Sequence, residues 1–192
     1  RALRCVALDW LAALGPEAEP RLWRAYSEAT TMTETLAALE ALGAVDGDRF
    51  DAALSHFYGR WKHRPLVLDK WFAAQAAAPR ADALQRVTGL RAHADFELRN
   101  PDRVRALASA FARSNPRAFH ARDGSGYAFL AEVAAAVDAQ NPVLAARLLL
   151  PFESWRRFDA GRQAHSHRVL TTLAASPSLS QNAREVVERT LA

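Results

Sequence analysis

A chain of 192 residues, half of them hydrophobic, can bury a substantial core and suits one domain of ordinary size. The formal charge of +4 comes almost entirely from arginine, since Lys62 and Lys70 are the only lysines, and abundant arginine and alanine read as the composition of a GC-rich genome before they read as nucleic-acid binding. No apolar run reaches the ~18–20 residues that a bilayer requires, and the lone Cys5 excludes a disulfide framework or a cysteine-rich zinc site.

The expectation is a soluble, cytoplasmic, non-membrane protein with Cys5 as a small core residue. The chain opens Arg1-Ala2-Leu3-Arg4, and its single methionine is Met32. That start predicts a C-terminal piece of a longer chain.

Helical spacing recurs from one end to the other, punctuated by capping chemistry. Leu3, Val6, Trp10, Leu11 and Leu14 form a first apolar stripe, stopped by Gly15-Pro16, and Leu22, Ala25, Tyr26 and Ala29 form a second. Thr31-Met32-Thr33-Glu34 is a capping box. It starts a helix through Leu36, Leu39 and Leu42, with Gly43 as a left-handed stop. Asp46 or Asp48 is placed to cap the next helix, whose face runs Phe50, Leu54, Phe57, Tyr58 and Trp61. Pro65 sits at a first-turn position ahead of Leu68, Trp71 and Phe72, and Pro79 ends that helix. A short helix spans 82–93.

Three Asn-Pro pairs then mark starts: Asn100-Pro101, Asn115-Pro116 and Asn141-Pro142. Ser125 begins a helix carrying Tyr127, Phe129, Leu130, Val133 and Val137, and Pro151 ends the one that Asn141 opens. Two more helices cover about 158–174 and a stretch from Ser178 or Ser180 to Leu191. The prediction is an all-α chain of about eleven or twelve short helices, a single domain over 1–192. Antiparallel helix pairs would stack into a right-handed superhelix of the HEAT or armadillo kind, with degenerate repeats.

Catalytic constellations are missing. None of the six histidines belongs to an H-E-x-x-H pair, and His165 and His167 fall on different helix faces. Asp123-Gly124-Ser125-Gly126 lacks the phosphate-loop frame and reads as a tight turn feeding a helix. No serine or cysteine nucleophile has a credible histidine and carboxylate beside it. The five tryptophans fall mostly at core spacing. The arginines are interleaved with acids, so no nucleic-acid stripe emerges.

Two arginine sites are less easily set aside. Arg103 and Arg105 occupy the opening turns of the Asn100-Pro101 helix, with Arg99 just before it, where cations oppose the helix dipole unless an anion joins them. The alternative is pairing with Glu97 and Asp102. Arg147 sits in Val143-Leu144-Ala145-Ala146-Arg147-Leu148-Leu149-Leu150, apolar around nearly its whole circumference as buried helices are. It must therefore either pair, for instance with Asp138 or Glu153, or face a cavity.

Several segments resemble the C-terminal domain of bacterial aminopeptidase N, a zinc metallopeptidase family. They are Met32 to Leu39, Phe57-Tyr58 through Trp61, Pro65 to Phe72 (with Val67-Leu68-Asp69-Lys70-Trp71-Phe72), Asn100 to Arg105, Asn115 through Phe119-His120, Asp123 to Tyr127, Phe129-Leu130 and Ala145 to Leu148. The resemblance implies that the parent removes N-terminal residues from peptides with a zinc ion held upstream, and that this stretch carries no cofactor and no catalysis of its own. It further implies a helical wall, packed on the parent's own catalytic domain, that encloses the active-site chamber and controls peptide access. Arg105 and Arg147, and less strongly Arg103, match family arginines that face bound peptide. The competing expectation is a free-standing helical-repeat scaffold for a protein partner.

Overall fold

The computed structural model describes residues 2–192; Arg1 lies outside them. In chain order the elements are α1 (Ala2–Ala12), a 3-10 turn (Pro16–Ala18), α2 (Glu19–Ser27), α3 (Met32–Gly43), α4 (Arg49–Trp61), α5 (Pro65–Ala77) and α6 (Ala83–Arg91). Then come α7 (Pro101–Val104), a π segment (Arg105–Ser109) and α8 (Ala110–Ser114), continuous as one rod. The chain finishes with α9 (Pro116–Phe119), α10 (Ser125–Asp138), α11 (Pro142–Leu149), a 3-10 segment (Leu150–Arg157), α12 (Ala160–Ala174) and α13 (Gln181–Leu191). Counting the rod once gives twelve α-helices among the described residues, and no strand. None is long and apolar enough to cross a membrane.

Consecutive helices pack as hairpins: α2 on α3, α10 on α11 and α12 on α13. Each pair is tied to the next by contacts that skip an element, α1 on α3, α5 on the π–α8 rod and α11 on α13. That nearest-neighbour stacking is how a repeat array buries faces that no single helix pair could cover. One continuous apolar cluster runs from Leu8 through Leu39, Phe72, Phe111 and Leu130 to Val187. Each fully buried side chain of this size contributes about 1.5–3 kcal/mol.

Helix starts follow side-chain chemistry closely. Thr31 Oγ1 accepts from Glu34 N at 3.3 Å, Asn141 Oδ1 from Leu144 N at 3.0 Å and Ser180 Oγ from Ala183 N at 3.3 Å. Asn115, fully buried, caps Ala118 N with its oxygen and donates from its nitrogen to the carbonyls of Ala76 and Ala78. One side chain therefore starts α9 and seals the end of α5. The Asp123 turn needs Gly124 at φ +74, and no Cβ fits at Gly126, where it would lie 2.4 Å from the Phe119 carbonyl.

Several local expectations are overturned. Gly43 is not a left-handed stop, because it lies inside α3; it is small because a Cβ would meet the Phe50 ring at 3.0 Å. Asp48 holds the position before α4 without using its carboxylate, and Glu19 from α2 accepts the Arg49 amide instead at 2.9 Å. Pro151 does end α11, which stops at Leu149, and the chain continues from Leu150 as a 3-10 segment. Cys5 is only half-buried. In α1 the core-facing residues are Leu8 and Ala12, whereas Leu3, Val6, Trp10 and Leu14 are exposed. The other four tryptophans are wholly or partly buried.

Candidate functional site

The three candidate arginines meet three different fates. Asn100 Oδ1 accepts from the amides of Asp102 and Arg103 at 3.0 and 3.2 Å, which starts α7 and fixes the register of the residues after it. That register turns Arg103 inward, leaving it 5% exposed. Its Nε donates to Asp69 Oδ1 of α5 at 2.6 Å, an Nη donates to the Asp95 carbonyl, and the guanidinium lies 4.8 Å from the Phe72 ring centre. The Asp95 carboxylate accepts from Tyr58 at 2.5 Å, and that bond pushes the Tyr58 phenol above its ordinary value. Tyr58, Trp71 and Phe72 surround His93 with ring centres 5.3–5.9 Å away. Arg103 thus belongs to a knot that pins the 92–100 loop onto α4 and α5, with two of its donor atoms spent inside the fold.

Arg105 lies two residues on, at the start of the π segment, and is exposed. Its Nη1 sits 2.7 Å from Asp102 Oδ1, the acid three residues back, with both side chains well exposed at 46% and 64%. Glu97 is not its partner. An exposed pair of this kind is worth ~0–1 kcal/mol. The wider i→i+5 turn beginning at Arg105 is a local departure of the sort that often accompanies functional positions in helices. Nothing in the sequence signals it.

Arg147 corrects the sequence reading of its helix. Leu144, Ala145, Leu148 and Leu149 are buried, but Val143 and Arg147 are exposed, so α11 is a two-sided helix rather than a fully buried one. Neither proposed acid reaches Arg147. Asp138 accepts from the amide and hydroxyl of Ser180, the latter at 2.5 Å, and Glu153 pairs with Arg189 at 2.7 Å. Among the described residues Arg147 has no ion-pair partner within 4.0 Å.

One cleft of about 350 Å³ joins the two helix starts: Leu98, Arg99 and Pro101 line one side, and Gln140, Asn141 and Leu144 line the other. Arg105 and Arg147 each lie about one helical turn beyond residues of that lining. Arg103 faces a different cleft, shared with Lys62 and His63. Neither Arg105 nor Arg147 lines the first cleft itself, and Arg103 lines only the second.

Other titratable groups are used structurally. Burial pushes the Tyr26 phenol up to about 12 despite Arg60 nearby, and its hydroxyl lies 2.9 Å from both the Ala53 carbonyl and His56 Nδ1, so it is a fixed neutral group rather than a base. His165 packs against Gly124 and His167 against Trp155. No group of three or more His, Cys, Asp or Glu side chains is placed to hold a metal ion among the described residues.

The model of a family described as "Domain of unknown function (DUF3458_C) ARM repeats" matches residues 1–192. The chain is similar to the C-terminal region of bacterial aminopeptidase N. It is 43% identical over 193 residues to aminopeptidase N of Caulobacter vibrioides, covering 100% of this chain and 22% of that protein. With aminopeptidase N of Escherichia coli it shares 42% identity over 167 residues, 87% of this chain and 19% of that one. The crystal structure of Legionella pneumophila aminopeptidase A in complex with aspartic acid superposes with a TM-score of 0.85 at 34% identity, covering 91% of this chain and 21% of that one. The chain therefore spans about a fifth of the length of the relatives it matches.

Proposed function

We propose that this chain, which belongs to the ARM-repeat family DUF3458_C, is one α-superhelical domain that forms the non-catalytic wall of the active-site chamber in a cytoplasmic zinc aminopeptidase. The parent would remove N-terminal residues from peptides, with this domain packed on its catalytic domain and limiting which peptides enter. The described residues offer no ligand set that fits zinc, so the metal would be held elsewhere in the parent.

What these residues supply is binding. Guanidinium groups stay charged at any working pH and recognise carboxylates through paired N–H donors. Arg147, a cation on an otherwise apolar helix with no internal acid, would take a carboxylate or backbone carbonyls of the distal part of a peptide, and Arg105 would join it by releasing Asp102. Contacts far from the scissile bond raise turnover of long substrates and leave short ones untouched. The observation that carries this reading is the unpaired state of Arg147 one turn from a cleft that Arg99 also lines.

The test is made in the intact parent. Arg147→Ala should cut kcat/KM for peptides of four or more residues by about 10-fold, the size expected for a charge-assisted bond of ~1.5 kcal/mol. A chromogenic single-residue substrate should be turned over as before, and Arg105→Ala should act the same way more weakly. Equal losses on both substrates would assign the arginines a structural role. An aminopeptidase-dead parent would overturn the whole reading.

A further inference from the structure

We propose that the cleft between α2, the start of α3 and α4 binds a small free amino acid with an apolar side chain, its carboxylate on Arg60 and its ammonium on lining hydroxyls and His56. The site uses none of the arginines assigned to peptide binding, so it stands apart from the aminopeptidase reading.

The cleft has a volume of about 210 Å³, room for about seven waters. Ser27, Thr30, Thr31 and Thr35 line it from α2 and α3, and His56 and Arg60 line it from α4. The last two are four residues apart, so one face of α4 presents both.

A hydroxyl has one proton, and each hydroxyl in this lining has already committed it. Tyr26 donates to the Ala53 carbonyl at 2.9 Å, Ser27 to the Trp23 carbonyl at 2.9 Å and Thr35 to the Thr31 carbonyl at 3.0 Å. Thr30 and Thr31 donate to the Glu34 carboxylate at 3.4 and 3.2 Å. What these oxygens have left to offer is lone pairs. His56 follows the same rule. Because the Tyr26 proton goes to Ala53, the 2.9 Å contact with Nδ1 requires a hydrogen on that nitrogen, and the neutral ring keeps its lone pair on Nε2. The polar part of the cleft is therefore a set of acceptors, which an ammonium with three N–H donors satisfies.

One lining group has the opposite character. Arg60 makes no ion pair within 4.0 Å among the described residues, and its guanidinium lies 5.2 Å from the Trp61 ring centre. No carboxylate lines the cleft, because Glu34 is held by Thr30, Thr31 and Arg4. A plain amine would be repelled by Arg60, and an inorganic anion would meet lone pairs. A zwitterion satisfies both ends, and Met32 and Trp61 supply an apolar wall for its side chain.

The test uses the intact parent carrying 5-fluorotryptophan. It reads the fluorine signal of Trp61, assigned as the one missing from Trp61→Phe, so binding elsewhere in the parent does not register. L-Leucine at millimolar concentration should shift that signal saturably. 4-Methylpentanoate, which lacks the ammonium, and leucinamide, which lacks the carboxylate, should each bind about 10-fold more weakly, as expected for losing a hydrogen bond to a charged group. Arg60→Ala should weaken leucine by the same factor. Thr35→Val, which keeps the shape and removes a lone pair, should weaken it by about 3-fold. No saturable shift, equal binding of 4-methylpentanoate, displacement of leucine by inorganic phosphate, or unchanged affinity in Arg60→Ala would each overturn the assignment.

Discussion

Arg103 and Arg147 follow the same kind of helix start, an Asn-Pro pair, and end in opposite states. Around Arg103 the neighbouring elements bring Asp69, the Asp95 carbonyl and the Phe72 ring, so the charge is neutralised and spent. Around Arg147 the acids that sequence proximity offers are taken by Ser180 and Arg189, so the charge is left facing outward. The difference teaches that an arginine in an apolar helix is no mark of a buried ion pair. What decides is whether an acid on another element reaches it first.

The largest expected effect tests the satisfied member of this pair. Arg103→Ala removes a buried cation and leaves Asp69 and the Asp95 carbonyl without their donor, which should cost about 3–5 kcal/mol. Chemical denaturation followed by far-UV circular dichroism measures it, and a loss below about 1 kcal/mol would mean the knot is not structural. Arg103→Lys should recover only part of the loss, because an ammonium cannot reproduce the planar fork.

A smaller effect separates interior polar contacts from exposed charge by pH. His120 sits 2.9 Å from the Tyr127 hydroxyl, stacks on Phe158 and lies beside Arg162. Burial, and then the Arg162 charge, hold its pKa below the ordinary 6.5. The folded state thus favours neutral His120, and the unfolded chain binds the proton more readily. Its contribution to stability is complete above about 6.5 and is lost as pH falls below that value. His120→Gln should flatten that acid limb in a melting-temperature series between pH 7.5 and 5. An unchanged limb would move the acid sensitivity to other groups.

The smallest effect belongs to Arg147. With no internal partner, Arg147→Ala should change stability by less than about 0.5 kcal/mol, although it is expected to impair peptide turnover. Destabilisation above about 1.5 kcal/mol would show a hidden structural contact and erase the contrast with Arg103.

How much was legible in the sequence follows from the range of each interaction. The capping box at Thr31-Glu34, the three Asn-Pro starts and the Ser180 start are formed by residues three positions apart or fewer, so the sequence contains both partners. Gly43, Asp48 and the α1 stripe were misread for the complementary reason. The Phe50 ring that a Cβ at Gly43 would crowd belongs to another helix. Glu19, which replaces Asp48 as the acceptor for α4, lies 30 residues from the amide it holds. The apolar stripe read on α1 is exposed, and the residues that reach the core are Leu8 and Ala12.

The sequence by itself determined that the chain is helical and where most helices start, because backbone capping and 3.6-residue periodicity are local physics. Only the tertiary structure decided which arginine is consumed and which is free, and which side of α1 is covered. Those outcomes depend mostly on charges and rings brought together from more than 30 residues apart, and burial strengthens those meetings that water does not reach, such as Arg103 with Asp69.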